Sequence, residues 1–450
     1  MNTILEKAQR IWREHKAEIL IFLSVFAVRF GYSLFALFGF GMDSFVSFSD
    51  AETFVRTANN ILNHGVMSQA SAPPYLPDPL RTPLYPWFLA LLLGSGFSLF
   101  GIVTVQNLLA GIVGVVVYRL GKVLFSNGRL GAAAAILFAF EPGSVYWSNL
   151  LMSDNLFTAL FVLSVYLFFT KRLRWFAVAF GLATLVRPIG LYLFPLFLLG
   201  AAAFYIPKDS GRVWERVKNA PWKSIGAKLV VMGALFFAVI SPWMMRNKLL
   251  FDHFGLSTAG WLNLYLFTVG EFFERRGLPL PMPAIPEEYQ RGNEREVLYH
   301  YEFPAARFFK KQTLALIKEY PVAYPAFHLL SGIQGVHNHD YEYLLAHVIR
   351  PLFKNLNEAK WKWVVRLGQF SWVLVYLGAI AGLAEKRHRS TVLFLLTLIV
   401  FHAVLIGYNG LISSGGRYNM PFLPLWFLLG SYGWIRIGQF FSRPYNNTTL

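Results

Sequence analysis

Two carboxylates and four guanidiniums interrupt long apolar stretches of this sequence: Asp50 in SDAETFVRTANNILNHG, Arg81 in RTPLYPWFLALL, Asp154 in NLLMSDNLF, Arg187 in ATLVRPIG, Arg246 in SPWMMRNKLL and Arg417 in GGRYNMPF. A carboxylate at a membrane surface suits proton transfer, and an arginine beside it suits a phosphate group. Glu52 adds a second acid two residues after Asp50. Each position also has a plain structural reading. Asp50 and Asp154 each follow a serine where a helix would open, a place that favours acids, and the arginines suit the ends of membrane helices. Arg29 differs, because it lies inside an apolar run and must face protein or water there.

The segment HLLSGIQGVHNHDYEYLLAH collects His328, His337, His339, Asp340, Glu342 and His347. H-x-H-D is a set of donors for a divalent metal, yet no helix-spaced HExxH accompanies it, so no metal or other cofactor is expected. P-loop, GxGxxG and GxSxG elements are absent from any usable context, which leaves nucleotide hydrolysis and serine-hydrolase chemistry without support. Without cysteine, disulfides and thiolate metal sites are excluded.

The elements that must position these residues are membrane helices. The chain is 55% hydrophobic and 14% charged, with a mean hydropathy of +0.45, and apolar runs of spanning length recur from residue 18 to residue 438. The expected fold is an all-α polytopic membrane protein, read as one domain over 1–450. The net charge of +17 would suggest nucleic acid in a soluble chain. Here most basic residues flank apolar runs, so topology and anionic lipid account for them, and no nucleic-acid partner is expected.

Counting Lys and Arg in the short connections gives about ten spans with both ends inside. They fall near 18–41, 102–124, 130–148 and 154–170, then two that meet at LVRPIG, then 229–245, 361–384, one after EKRHR, and 419–438. The basic loop PKDSGRVWERVKNAPWKSIGAK is the clearest inner marker. Outer loops then cover 42–101 and 246–360, both expected to carry interfacial helices, and the sequons in NNTT fall inside. Asp50, Arg81, Asp154, Arg187, Arg246 and Arg417 all reach the outer side. A solvated surface needs no such convergence, whereas an active site at the membrane face does.

Residues 49–65 read as an amphipathic helix with an S-x-x-E capping box, Ser49 to Glu52, and a stop at Gly65. Ala51, Phe54, Val55, Ala58, Ile61 and Leu62 share one arc, with Asp50 at its edge. Such a helix lies along the bilayer surface and keeps its carboxylate at the water boundary.

In order and spacing, SDAETF, RTPLYPWFLALL, FEPGSVYWSNLLMSDNLFTALFVL, ATLVRP, SPWMMRNKLLFDHFG and GGRYNMPFLPLW resemble the C-type integral-membrane glycosyltransferases, the group of the protein O-mannosyltransferases and the lipid A aminoarabinose transferase. The resemblance implies a helical bundle in a bacterial inner membrane or its equivalent, with the site on the extracytoplasmic side. It implies a polyprenyl-phosphate-linked sugar donor and a lipid, glycan or protein acceptor, with membrane lipids as the surroundings. The essential acid of the first outer loop would be Asp50 and the acid opening the fourth span Asp154. Arg246 would neutralise the donor phosphate, assisted by Arg187, Arg417 and Arg81. Relatives often carry adjacent acids in that loop, whereas Ala51 separates Asp50 from Glu52 here. Direct displacement with one base implies inversion at the anomeric carbon. A ligase using a polyprenyl-diphosphate-linked glycan and a transporter or flippase of lipid-linked sugars are the competing readings.

Overall fold

A computed structural model describes residues 2–207, 212–290, 293–344, 358–411 and 415–442. Lys208, Asp209, His347 and the sequons at Asn446 and Asn447 lie outside the described residues. Among the described residues every regular element is helical. The order is α1 Asn2–Phe40, α2 Ser49–His64, α3 Leu84–Gly94, α4 Leu99–Phe125, α5 Gly128–Phe140, α6 Pro142–Ser148, α7 Ser153–Phe169, α8 Leu173–Val186, α9 Gly190–Tyr205, α10 Val213–Lys218 and α11 Trp222–Phe251. The long segment after α11 then folds into α12 Ala259–Asn263, α13 Gly270–Glu274, α14 Asn293–Tyr301, α15 Phe303–Glu319, α16 Ala323–Gly335 and α17 Tyr341–Leu344. Three long helices close the chain, α18 Glu358–Ala384, α19 Arg389–Ile406 and α20 Leu423–Phe441.

A helix occupies each expected span, and the protein is a polytopic membrane protein. Among the described residues five helices, α1, α4, α11, α18 and α19, are long and apolar enough to cross a bilayer unaided. A sixth candidate, α5 with α6, is bent by 63° at Glu141. The helices α7, α8 and α9 have 17, 14 and 16 residues. At 1.5 Å per residue they reach only about 21–26 Å, short of a hydrocarbon core of about 30 Å. With 11 residues, α3 is shorter still, which suits the interfacial placement expected for RTPLYPWFLALL.

The bundle is ordered from centre to rim. Half of the apolar window of α4 is buried, against 22% for α11 and α18, which turn Val230, Phe237, Leu367 and Phe370 outward. Buried polar side chains sit inside, as expected where lipid surrounds the fold. Arg29 is one of them. It is fully buried and donates to the carbonyls of Phe138 (3.1 Å) and Ala139 (3.3 Å) and to Ser144 Oγ (3.0 Å), so it caps the open end of α5 at the bend. Its role is therefore structural pairing. On the other side of the bend, Glu141 accepts from the N–H groups of Gly143 and Ser144.

The antiparallel pair α4 and α5 is joined by the short turn Ser126–Asn127 and packs through two glycines. A Cβ on Gly121 would lie 2.4 Å from Gly131 Cα, and one on Gly131 would lie 2.2 Å from the Tyr118 carbonyl oxygen. Close backbone approach through small residues is the usual basis of helix association in lipid. Gly131→Val is expected to force the pair apart and to lower stability by about 1–3 kcal/mol. Thermal unfolding in detergent measures this, and an unchanged midpoint would contradict the packing.

Candidate active site

Asp50 stands at the start of α2, and the way that helix begins differs from the expected capping box. Phe48 occupies the cap position with extended backbone (φ −109°, ψ 135°), and no side chain caps the first turn. The cause is packing: the Phe48 ring meets Trp147 edge-on at 5.5 Å and lies 6.5 Å from Tyr343. That anchor moves the helix start so that Ser49 falls inside the first turn. The other end matches expectation, with Gly65 left-handed (φ 67°) and its N–H donating to the Ile61 carbonyl. Ala51, Phe54 and Ala58 are buried, Val55 and Ile61 are half-buried, and Leu62 is exposed.

The Asp50 carboxylate is gripped from both sides. Arg81 Nη2 donates to Oδ1 at 2.9 Å and Arg417 Nη2 to Oδ2 at 2.8 Å. Burial pushes its pKa up, but the two guanidiniums outweigh burial and hold the carboxyl well below the usual carboxylate range. Both arginines are themselves placed by rings: Arg81 lies 4.0 Å from the Phe54 ring centre, and Arg417 lies 4.8 Å from Phe48 and 5.0 Å from Tyr418. Each leaves its Nε buried without a partner.

The network continues on both sides. Arg417 also donates to the Tyr418 hydroxyl (3.2 Å), and Arg187 stacks over the same ring at 5.2 Å. Arg187 Nη1 in turn donates to Asp154 Oδ1. Beyond Arg81 lies Asp78, whose carbonyl accepts from Arg246 Nη1 at 3.0 Å. Burial pushes the Asp78 carboxyl up against the lowering influence of Arg81. Arg246 is held further by Asn247 Oδ1 (2.8 Å) and by the Trp243 and Phe251 rings. Six of the residues singled out from sequence thus fall on one alternating line, Arg246, Asp78, Arg81, Asp50, Arg417, Tyr418, Arg187, Asp154, with Asp78 and Tyr418 as the additions. Arginines outnumber acids along it, which favours an anionic guest.

Glu52 is not part of this line. Its side chain is exposed on the far side of α2, beside a cleft of about 300 Å³ lined also by Arg56, Asn59 and Ser71. The metal-type segment also comes apart. His339 stacks on Trp372 at 3.8 Å and contacts the Tyr376 hydroxyl at 3.0 Å, while His328 Nε2 contacts the Val404 carbonyl at 2.8 Å. Among the described residues no three His, Asp or Glu side chains gather as a cation site. Asp340 instead braces the arginine line: Oδ1 accepts from the Gly416 N–H and Oδ2 from the Trp147 indole, each at 2.8 Å. Burial pushes Asp340 up to about 7, even with the backbone N–H groups of Gly416 and Arg417 favouring its charge. A Cβ on Gly416 would lie 2.6 Å from Asp340 Cγ, so glycine is what allows this approach.

Polar residues of α4 set the height of Asp154. Gln106 Nε2 donates to the carbonyls of Ser148 (3.1 Å) and Leu150 (2.9 Å), and Asn155 donates back to the Gln106 carbonyl at 2.5 Å. The turn that opens α7 is thereby fixed to the centre of the bundle. The segments 42–101 and 246–360 are joined as well, since Thr258 N–H donates to the Pro79 carbonyl at 3.1 Å and Ser257 Oγ donates to the Leu80 carbonyl, while Thr258 Oγ1 ties the second segment to itself at the Tyr301 carbonyl. Tyr301 is close enough to Asp50, Asp78 and Arg81 to feel their charges.

Residues 79–246 match the family described as dolichyl-phosphate-mannose-protein mannosyltransferase. The matched stretch runs from just before Arg81 to Arg246 and holds Asp154 and Arg187, while Asp50 and Arg417 lie outside it. The chain is also similar to GPI mannosyltransferase 2 of Schizosaccharomyces pombe, 26% identical over 215 residues, which is 48% of this chain and 40% of that protein. The similarity is to C-type membrane glycosyltransferases. The match spans well under half the length of the curated relative.

Asp154 is 1% exposed and Arg187 17%, so the pair is buried and cannot lose one member cheaply. Arg187→Met is expected to cost about 3–5 kcal/mol by leaving a buried carboxylate unpaired. Adding Asp154→Leu is expected to recover most of that loss. Thermal unfolding of both variants and the double variant tests this, and simple additivity would contradict the pairing.

Proposed function

We propose that this chain is a membrane glycosyltransferase that moves a sugar from a polyprenyl-phosphate-linked donor to an acceptor hydroxyl, with Asp50 as general base. The observation that carries the reading is the Asp50 carboxylate held between Arg81 and Arg417 in the middle of a line of four arginines and three acids. We propose the extracytoplasmic side from the Lys and Arg count of the short connections, and since a nucleotide sugar has no access to that face, transfer there calls for a lipid-borne donor.

In the step proposed, the acceptor oxygen forms a bond to the anomeric carbon as the bond from that carbon to the phosphate oxygen breaks. The electron pair leaves with the lipid phosphate, whose charge changes from one negative to two. The acceptor proton passes to Asp50. The leaving group needs no acid, but its growing charge needs cations in place beforehand, which Arg246, Arg81, Arg417 and Arg187 supply. The unpartnered Nε groups of Arg81 and Arg417 are further donors for phosphate oxygens. In-line displacement with a single base gives inversion.

The resting carboxylate is a weak base because two guanidiniums hold it. A phosphate that draws on the same guanidiniums frees Asp50 to accept a proton only when the donor is present. Asp154 orients Arg187 and does not meet the acceptor. No metal is assigned a part.

Asp50→Asn is expected to lower turnover roughly 10²- to 10⁴-fold at saturating donor, with donor binding kept or tightened because the carboxylate no longer competes for Arg81 and Arg417. Arg246→Ala is expected to weaken donor binding and transfer together, because that contact exists before the reaction. Glu52→Gln is the control and is expected to keep near-normal turnover. Turnover and donor binding measured with a polyprenyl-phosphate sugar decide the matter: full activity in Asp50→Asn would remove the base from this position.

A further inference from the structure

A cavity of about 640 Å³ opens at the other end of the bundle, between the α7–α8 turn, α9 and α11. Its rim carries Lys171, Arg172, Arg174 and Lys228, and among the described residues no acid lines it. Its wall is apolar, built from Leu173, Trp175, Ala227, Val231 and Met232 among others. The 17 residues of α7 separate it from Asp154, which is about 25 Å of helix. Along α11, Lys228 and Arg246 are 18 residues apart, about 27 Å, so the cavity and the arginine line lie roughly a bilayer core from each other.

Two further observations place the rim at a lipid headgroup level. Trp175, Trp214 and Trp222 near this end are 68%, 74% and 47% exposed, the pattern of an interfacial aromatic belt. Lys228 is pre-set, since its Nζ donates to Ser224 Oγ at 2.8 Å and lies 4.7 Å from the Tyr205 ring centre. A cationic rim above an apolar wall is complementary to a phosphate headgroup with acyl chains beneath it.

We infer that this cavity binds an anionic glycerophospholipid, with Lys171, Arg172, Arg174 and Lys228 around its phosphate and the α8–α11 wall along its acyl chains. The site is separate from the transfer site and needs none of its residues. Each cation near the membrane surface strengthens binding by a similar increment, so removing one is expected to weaken binding about fivefold.

Native mass spectrometry of the full chain in detergent, with added phosphatidylglycerol or phosphatidylcholine of the same acyl chains, tests this. Retention of phosphatidylglycerol over phosphatidylcholine is expected, lost in stages in Arg172→Gln, in Arg172→Gln/Arg174→Gln, and with Lys228→Gln added, and kept in Lys228→Arg. Equal retention of the two lipids overturns the proposal. So does full displacement by millimolar inorganic phosphate, which marks a free-anion site, or by equimolar polyprenyl phosphate, which marks a carrier site. Should the charge-removal variants fail to fold, phosphatidylglycerol with a photoreactive acyl chain is applied to the unaltered protein. Labelling within 171–175 and 224–232 supports the site, and labelling confined to other segments overturns it.

Discussion

A carboxylate caught between two guanidiniums organises this protein. Asp50 accepts from Arg81 and Arg417, residues supplied by the segment between α2 and α3 and by the 3-10 turn Gly415–Phe422 ahead of α20. Segments more than three hundred residues apart therefore meet at one side chain. Arg417 and Asp154 are buried charges that need partners, and Arg81 and Arg417 find theirs in Asp50, Arg187 in Asp154, while Arg246 is held by the Asp78 main-chain carbonyl and Asn247. The result is a line that holds itself together at rest and has more positive charge than it needs.

The remainder of the fold can be read as the means of holding that line at one height. Arg417 is placed by Asp340, which grips the Gly416 backbone, and by Asn419, whose amide donates to the carbonyls of Gly335 (2.8 Å) and Asn338 (2.9 Å). Arg81 follows a loop secured by Asn60, which donates to Ser68 and Ala70 carbonyls at 2.9 and 2.8 Å. Asp154 is fixed through Gln106. Arg246 sits at the end of a 30-residue helix long enough to cross the bilayer and reach past it. In the proposed reading, the phosphate of a lipid-linked donor would sit where these ends meet.

Much of this was legible in the sequence because membrane proteins write their burden in charge. Long apolar runs mark the helices, and the rare Asp and Arg beside them mark the site, which is why Asp50, Arg81, Asp154, Arg187 and Arg417 could be grouped before any contact was visible. Asp78 escaped notice because PYLPDPLRTP reads as an ordinary proline-rich turn, and Tyr418 because a tyrosine beside an arginine is common. The capping box failed because the Phe48 ring has tertiary partners, and local helix rules carry no knowledge of Trp147. Asp340 was visible only as a metal donor; that it serves backbone N–H groups depends on a glycine 76 residues away.

The account turns on a competition for the same guanidiniums between Asp50 and a lipid phosphate. Infrared titration of the Asp50 carboxylate, assigned by difference from Asp50→Asn and recorded with and without bound polyprenyl phosphate, observes that competition directly. The account predicts that bound lipid phosphate moves the Asp50 titration to higher pH, as its two arginines turn partly to the phosphate. A titration unchanged by saturating polyprenyl phosphate would contradict it.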